Sequence, residues 1–95
     1  MTATWGEPKR EANLLKHGFD FADFDACFDA ETALFRSTTP SRTGRERLML
    51  IGEWEGEIVV TVIISPLGSE AIDLVSIRRA SDKERAAYEQ HRAHA

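Results

Sequence analysis

Two adjacent arginines, Arg78 and Arg79, close an apolar run of β type and lead straight into a helix start. Ser81 and Glu84 stand in the S-x-x-E relation of a capping box: the serine hydroxyl accepts from the Glu84 backbone N–H, and the Glu84 carboxylate accepts from the N–H of Ser81. A strand edge, a positive pair and a helix N-terminus therefore fall within residues 75–88. Helix-start N–H groups and guanidinium groups both attract anions, so this stretch suits a phosphate. Metal-free RNA cleavage needs little more. A base takes the 2′-OH proton, that oxygen attacks phosphorus, cations stabilise the phosphoryl charge, and an acid protonates the departing 5′ oxygen. Arginine fits the charge-stabilising part, because its planar donors match phosphate oxygens. The groups available for proton transfer are His17, Glu84 and Tyr88. His17 is the only histidine outside the C-terminal tail, and histidine is the side chain that ordinarily titrates nearest neutral pH. Each of these residues also has a structural reading: arginines pair with surface acids, a helix-end histidine caps, and a helix tyrosine packs onto a sheet.

The other cations are candidates for backbone contacts: Arg79, Arg45, Arg42, Arg85 and Lys16. They sit in a chain of net charge −4, which argues against nonspecific nucleic-acid binding. The distribution is uneven, however. Residues 36–47 carry four arginines against Glu46, and residues 76–95 carry five basic side chains against three acidic ones, whereas residues 48–75 hold five acids and no base. Two locally basic segments that meet in space make a confined positive patch. No Gly-rich phosphate loop, Cys/His metal spacing or G-x-S-x-G motif occurs, and the acids Asp23, Asp25 and Asp29 read as a solvated helix surface, so neither a metal nor a cofactor is expected. The single cysteine, Cys27, cannot form an internal disulfide; with no apolar signal core or membrane-length run, this places the expectation in the cytoplasm.

Ninety-five residues are enough for one modest core, and 42% are apolar, so a single domain over residues 1–95 is expected, with the tail fraying from about residue 90. Pro8 suits the first turn of a helix over residues 9–17 that Gly18 stops; Ala12 and Leu15 lie on one face and Leu14 widens it. Asp20 is placed to cap a second helix over 21–29, where Phe21, Phe24 and Phe28 form an aromatic face. A short strand over 31–37 precedes a basic loop, 37–46. Strands follow over 47–54 and 57–65, joined by a tight turn at Glu55-Gly56, and the second is apolar on both faces like a central strand. A turn at Pro66–Ser69 (residues 66–69) leads to a last strand over 71–79. Strict alternation there puts Ile72, Leu74, Ser76 and Arg78 on one face and Asp73, Val75, Ile77 and Arg79 on the other. A helix over 82–91 ends the domain. The fold class is α+β: two N-terminal helices, a four-stranded mainly antiparallel sheet and one C-terminal helix.

Several of these residues carry a resemblance. Trp5, Lys9, Asn13 and Lys16-His17-Gly18, then Phe21 and Phe28-Asp29, then Glu46-Arg47 leading into Ile51-Gly52, and finally Ser76, Arg78, Ala80, Glu84-Arg85 and Tyr88 match in order and spacing. Over nearly the whole chain the sequence resembles the BrnT family, the ribonuclease toxins of BrnT/BrnA type II toxin–antitoxin systems. The resemblance implies a RelE-like fold and a metal-independent endoribonuclease that inhibits growth. It also implies neutralisation by a BrnA-like antitoxin in a hetero-oligomer that reaches operator DNA through the antitoxin. The family's C-terminal arginines land on Arg78 and Arg85. Two positions depart from the pattern: Gly6 replaces a usual acid, and Asp73 stands where members commonly carry a basic residue, reversing a charge close to Arg78. With the acidic balance, Asp73 is the feature behind an alternative expectation, a toxin-like domain without catalysis that serves as antitoxin-binding partner and co-repressor.

Overall fold

The structure, a computed structural model, describes residues 2–94. Its elements are β1 (Thr2–Thr4), α1 (Glu7–His17), a 3₁₀ turn (Phe21–Asp23) running into the short α2 (Phe24–Cys27), β2 (Leu34–Ser37), β3 (Leu48–Trp54), β4 (Ile58–Leu67), β5 (Ala71–Arg79) and α3 (Asp82–Ala93). The sheet has five strands in the order β1-β5-β4-β3-β2, all neighbours antiparallel except β1 and β5, which run parallel. The sequence expectation of four strands missed β1. Three residues, Thr2 to Thr4, are too few to show alternation, and they are a strand because β5 offers them an open edge.

On the first face of the sheet lies the core. Val60, Val62 and Ile64 of β4 alternate inward and meet Phe21, Phe24 and Phe28 from the segment after α1. The aromatic face is as expected, but the helix that carries it is shorter. Asp20 caps only a 3₁₀ turn by accepting from Ala22 N, and helical structure ends at Cys27. Beyond that point the backbone bonds to the end of the β3–β4 hairpin instead: Asp29 N donates to Glu53 O at 3.0 Å and Glu55 N to Cys27 O at 2.8 Å. The hairpin turns as read, with positive φ at both Glu55 (56°) and Gly56 (70°). Gly52 on β3 lets the Phe28 ring pack closely: a Cβ there would lie 3.0 Å from the ring and 3.1 Å from Ala33 Cβ. β4 continues through Pro66, where a turn was expected. Its pairing with β3 stops at Ile64, so a missing N–H at Pro66 interrupts no ladder on that side.

β5 is irregular, and the irregularity matters for the site. Ile63 pairs with Ser76 but Ile64 pairs with Leu74, so Val75 is an extra residue, a β-bulge. Strict alternation therefore fails. Ile72 and Leu74 join Ile77 in the core, while Asp73 joins Ser76 and Arg78 on the second face. Arg78 and Arg79 do take opposite faces, opposite Thr61 and Val60.

α1 is not the apolar-faced helix that its leucines suggested. Leu15 is 91% exposed, Leu14 is also exposed, and the one buried residue is Asn13. The helix lies along the edge of β5 rather than on a face, and it docks through an amide. Asn13 Nδ2 donates to Ile77 O (2.9 Å) and Phe19 O (3.0 Å), and Ile77 N donates to Asn13 Oδ1 (3.0 Å). β1 covers the edge as far as Asp73, and one side chain stands in for a strand at Ile77. Gly18 ends α1 in the left-handed region, φ 80°, as expected. α3 packs on the second face over β3 and β4 and runs to Ala93, past the residue-91 end that was expected.

Candidate active site

The N-terminus of α3 meets the end of β5 at a single carboxylate. Arg78 donates to Glu84 through both terminal nitrogens, at 2.7 and 2.8 Å. The same Glu84 accepts from the Thr61 hydroxyl at 2.9 Å and from Ser81 N at 2.8 Å, while Ser81 Oγ accepts from Glu84 N at 3.2 Å. The capping box read from the sequence is thus complete, and its acid also clamps the arginine. The geometry is a fork-to-fork pair, which fixes the guanidinium plane as well as its position. Thr61 is fully buried beneath it, and the Arg78 and Glu84 side chains are 33% and 18% exposed. The fixed cation is thus a third exposed, and its Nη1 also reaches the Arg79 carbonyl at 3.4 Å.

Hydrogen bonding from Arg78 is the main cause that holds the Glu84 carboxyl at about 2, against an opposing push from burial; the same contact raises Arg78. Glu84 is ionised throughout the neutral range, which suits a carboxylate that positions Arg78 rather than one that moves protons. The sign of the linkage follows. A carboxyl whose value falls from 4.5 unfolded to about 2 folded contributes stability that is complete above pH 4.5 and disappears as pH falls toward 2. Urea unfolding of the wild type and Glu84→Gln should therefore show a constant stability gap from pH 7 to about pH 5 that closes between pH 4.5 and 2. A gap unchanged at pH 3 would contradict the clamp.

Tyr88 is 3% exposed, and its hydroxyl donates to Glu53 Oε2 at 2.5 Å, tying α3 to β3. Burial is the first cause pushing its phenol upward. Arg79 takes the opposite face in the β5 register, and at the end of the strand it lines a cavity of about 270 Å³ with Glu57 and with Arg85 and Glu89 of α3. Arg85 is in addition paired with Asp82 at 3.3 Å and with Glu89 at 4.0 Å. Arg45 crosses from the loop to Asp73 at 3.6 Å, an acid of the stretch between the two basic segments, and Arg42 stays exposed on that loop. Lys16 and His17 line a groove of about 210 Å³ between α1 and β5, with Lys9, Asn13, Val75 and Ser76. The structure thus joins Arg78 with Glu84, joins Arg79 with Arg85 elsewhere, and puts His17 and Lys16 across the β5 edge.

Thr61 and Asn13 were not singled out for this arrangement. Thr61 left a signal, since it is the one polar residue in the run Ile58–Ile64 (residues 58–64). Asn13 left none beyond being a polar residue among helix formers. Among the described residues no group of three His, Cys, Asp or Glu is placed to hold a metal ion. The Cys27 thiol, raised first by burial, donates to Glu55.

The family model for the ribonuclease toxin BrnT of type II toxin–antitoxin systems matches residues 5–84. The chain belongs to the BrnT family. The stretch matched reaches from Trp5, ahead of α1, to Glu84 itself, so it includes both halves of the clamp. A solved BrnT, the crystal structure of the Brucella abortus ribonuclease toxin, is 40% identical over 86% of this chain and 100% of that chain, with a TM-score of 0.65. The comparison with curated proteins finds no match. BrnT membership makes this a ribonuclease toxin of a type II system, with RNA as substrate class and an antitoxin as partner. No helix among the described residues is long and apolar enough to cross a membrane.

Proposed function

We propose that the chain is a metal-independent endoribonuclease in which Arg78 stabilises the charge that develops on the scissile phosphate. The observation that carries this reading is the Arg78–Glu84 fork, which holds a partly exposed guanidinium in one orientation at a helix start. A cation fixed before the substrate arrives needs no reorganisation as charge builds up, which is the condition for strong electrostatic catalysis. The 2′-oxygen attacks phosphorus, the bond to the 5′ oxygen breaks, and the products end in a 2′,3′-cyclic phosphate and a 5′-hydroxyl. Of the three proton-transfer candidates, Glu84 is engaged by Arg78 and Tyr88 by Glu53. We therefore assign proton transfer to His17, half-buried beside Ser76 on the strand that carries Arg78.

Asp73, the charge reversal that favoured a non-catalytic domain, does lie on the Arg78 face. It is, however, compensated: Arg45 pairs with it and the Thr4 hydroxyl donates to it at 3.3 Å. That leaves Arg78 as the cation facing the substrate. The partner we assign is a BrnA-like antitoxin, which binds the toxin in a hetero-oligomer and supplies the contacts to operator DNA. The setting is the cytoplasm, where RNA and antitoxin are both at hand.

The test is cleavage of total RNA by the purified chain in excess EDTA, with product ends identified. Cleavage undiminished by the chelator, leaving cyclic phosphate ends, is the expected result. No cleavage at any protein concentration, together with tight binding to the antitoxin, would instead make this a binding module and co-repressor.

A further inference from the structure

The groove between α1 and β5 is lined by Lys9, Lys16 and His17, together with Asn13, Val75 and Ser76, and no acid lines it. None of its three basic side chains forms an ion pair among the described residues. In a protein of net charge −4 acids outnumber bases, and Arg10, Arg45, Arg78 and Arg85 each pair with a carboxylate. Lys9 and Lys16 are two helical turns apart, about 10.5 Å along the axis, and Asn13 between them pins that side of α1 to Ile77. The two ammonium groups therefore flank a rigid docking point rather than a free helix.

The position of the groove relative to Arg78 follows from the strand register. Ser76 lines the groove, and it shares the second face with Arg78, two residues on, about 7 Å along β5. The bulge at Val75 is what opens the strand there, and Val75 itself forms part of the wall. Met49, Ile63 and Ser76 are cross-strand neighbours in one row of that face, all half-buried and none part of the core cluster. That row runs across the strands to the groove, next on this face to the row that holds Arg78 and Thr61.

We propose that this groove is a second backbone-phosphate site, in which Lys9 and Lys16 hold the single-stranded RNA on one side of the phosphate engaged by Arg78. The proposal rests on the nuclease reading and extends it: the substrate runs across the β5 edge onto α1, with Lys9 as a binding residue. Strand-following by lysines reads no sequence, and it adds a salt-dependent share to affinity.

The experiment is equilibrium binding of a fluorescent single-stranded RNA, 2′-O-methylated so that it survives, by the purified chain over a range of salt concentrations. The variants are Lys9→Gln/Lys16→Gln and, as a control, Lys83→Gln on α3; all three lysines are exposed, and thermal unfolding confirms that each variant folds. The double variant should bind about tenfold more weakly, with the slope of log K against log salt reduced by about 0.7 for each phosphate no longer neutralised, while Lys83→Gln leaves both unchanged. An unchanged slope in the double variant, or an equal loss in Lys83→Gln, overturns the second site and leaves the nuclease reading intact. Loss of antitoxin binding by the double variant at an unchanged RNA slope overturns it in favour of a protein interface. A wild type that does not bind RNA at any salt concentration overturns the nuclease reading, and this site with it.

Discussion

RNA cleavage by the Arg78→Ala variant is expected to fall by about 10²–10³-fold or more in a chain that remains folded. The size of the effect comes from the fork. Glu84, itself held by the Thr61 hydroxyl, keeps the guanidinium in place, so its removal deletes charge stabilisation that no neighbour can replace. Arg79 faces the other side of the sheet, and Arg45 is drawn to Asp73. Stability suffers much less. Glu84 keeps Thr61 Oγ1 and Ser81 N as donors and has some access to water, so the loss is that of charge-assisted hydrogen bonds, about 1–2 kcal/mol. Arg78→Lys should not restore activity, because one ammonium cannot engage both carboxylate oxygens in a plane and still face a phosphate. Single-turnover cleavage alongside urea unfolding separates the two effects. A soluble, folded Arg78→Ala variant that cleaves like wild type would remove Arg78 from the mechanism.

Asn13→Ala is the substitution expected to cost the most stability, about 3 kcal/mol. It removes an amide that satisfies three buried backbone groups, the N–H and C=O of Ile77 and the C=O of Phe19, and it leaves each in a site 7% or less exposed at Asn13 itself. An orphaned buried group costs about 1–3 kcal/mol, and water entering from the groove that Asn13 lines keeps the total near the lower end of the sum for three. Asn13→Asp keeps the acceptor for Ile77 N but loses both donations, and it puts a charge beside two carbonyls, so it should be no better. Urea denaturation midpoints at neutral pH check both. A loss below about 1 kcal/mol for Asn13→Ala would mean that the edge of β5 is closed by something other than this side chain.

The elements that bury side chains on one face were legible in the sequence. The phenylalanines at 21, 24 and 28, the central strand β4, the Glu55-Gly56 turn and the capping box of α3 each followed from a local rule that the tertiary structure respects. The site was half legible. Arg78 and Glu84 were both singled out, the acid as a cap for α3 and as one of three candidates for proton transfer, but its pairing with Arg78 was not foreseen. What escaped was whatever depends on pairing register. The bulge at Val75 reverses alternation over residues 71–75, and it carries Asp73 to the Arg78 face although its own sequence, A-I-D-L-V, shows no glycine or proline to announce it. β1 and the docking of α1 through Asn13 escaped for a related reason: both are answers to an open sheet edge, and an edge exists only once the sheet has formed.

Glu84 Oε1 accepts from both Ser81 N and Arg78 while Oε2 accepts from Arg78, so helix initiation and orientation of the Arg78 guanidinium are a single event. Anything that unwinds the first turn of α3 therefore also releases Arg78 from its fixed plane, so fraying of this helix start and loss of the arginine's orientation go together.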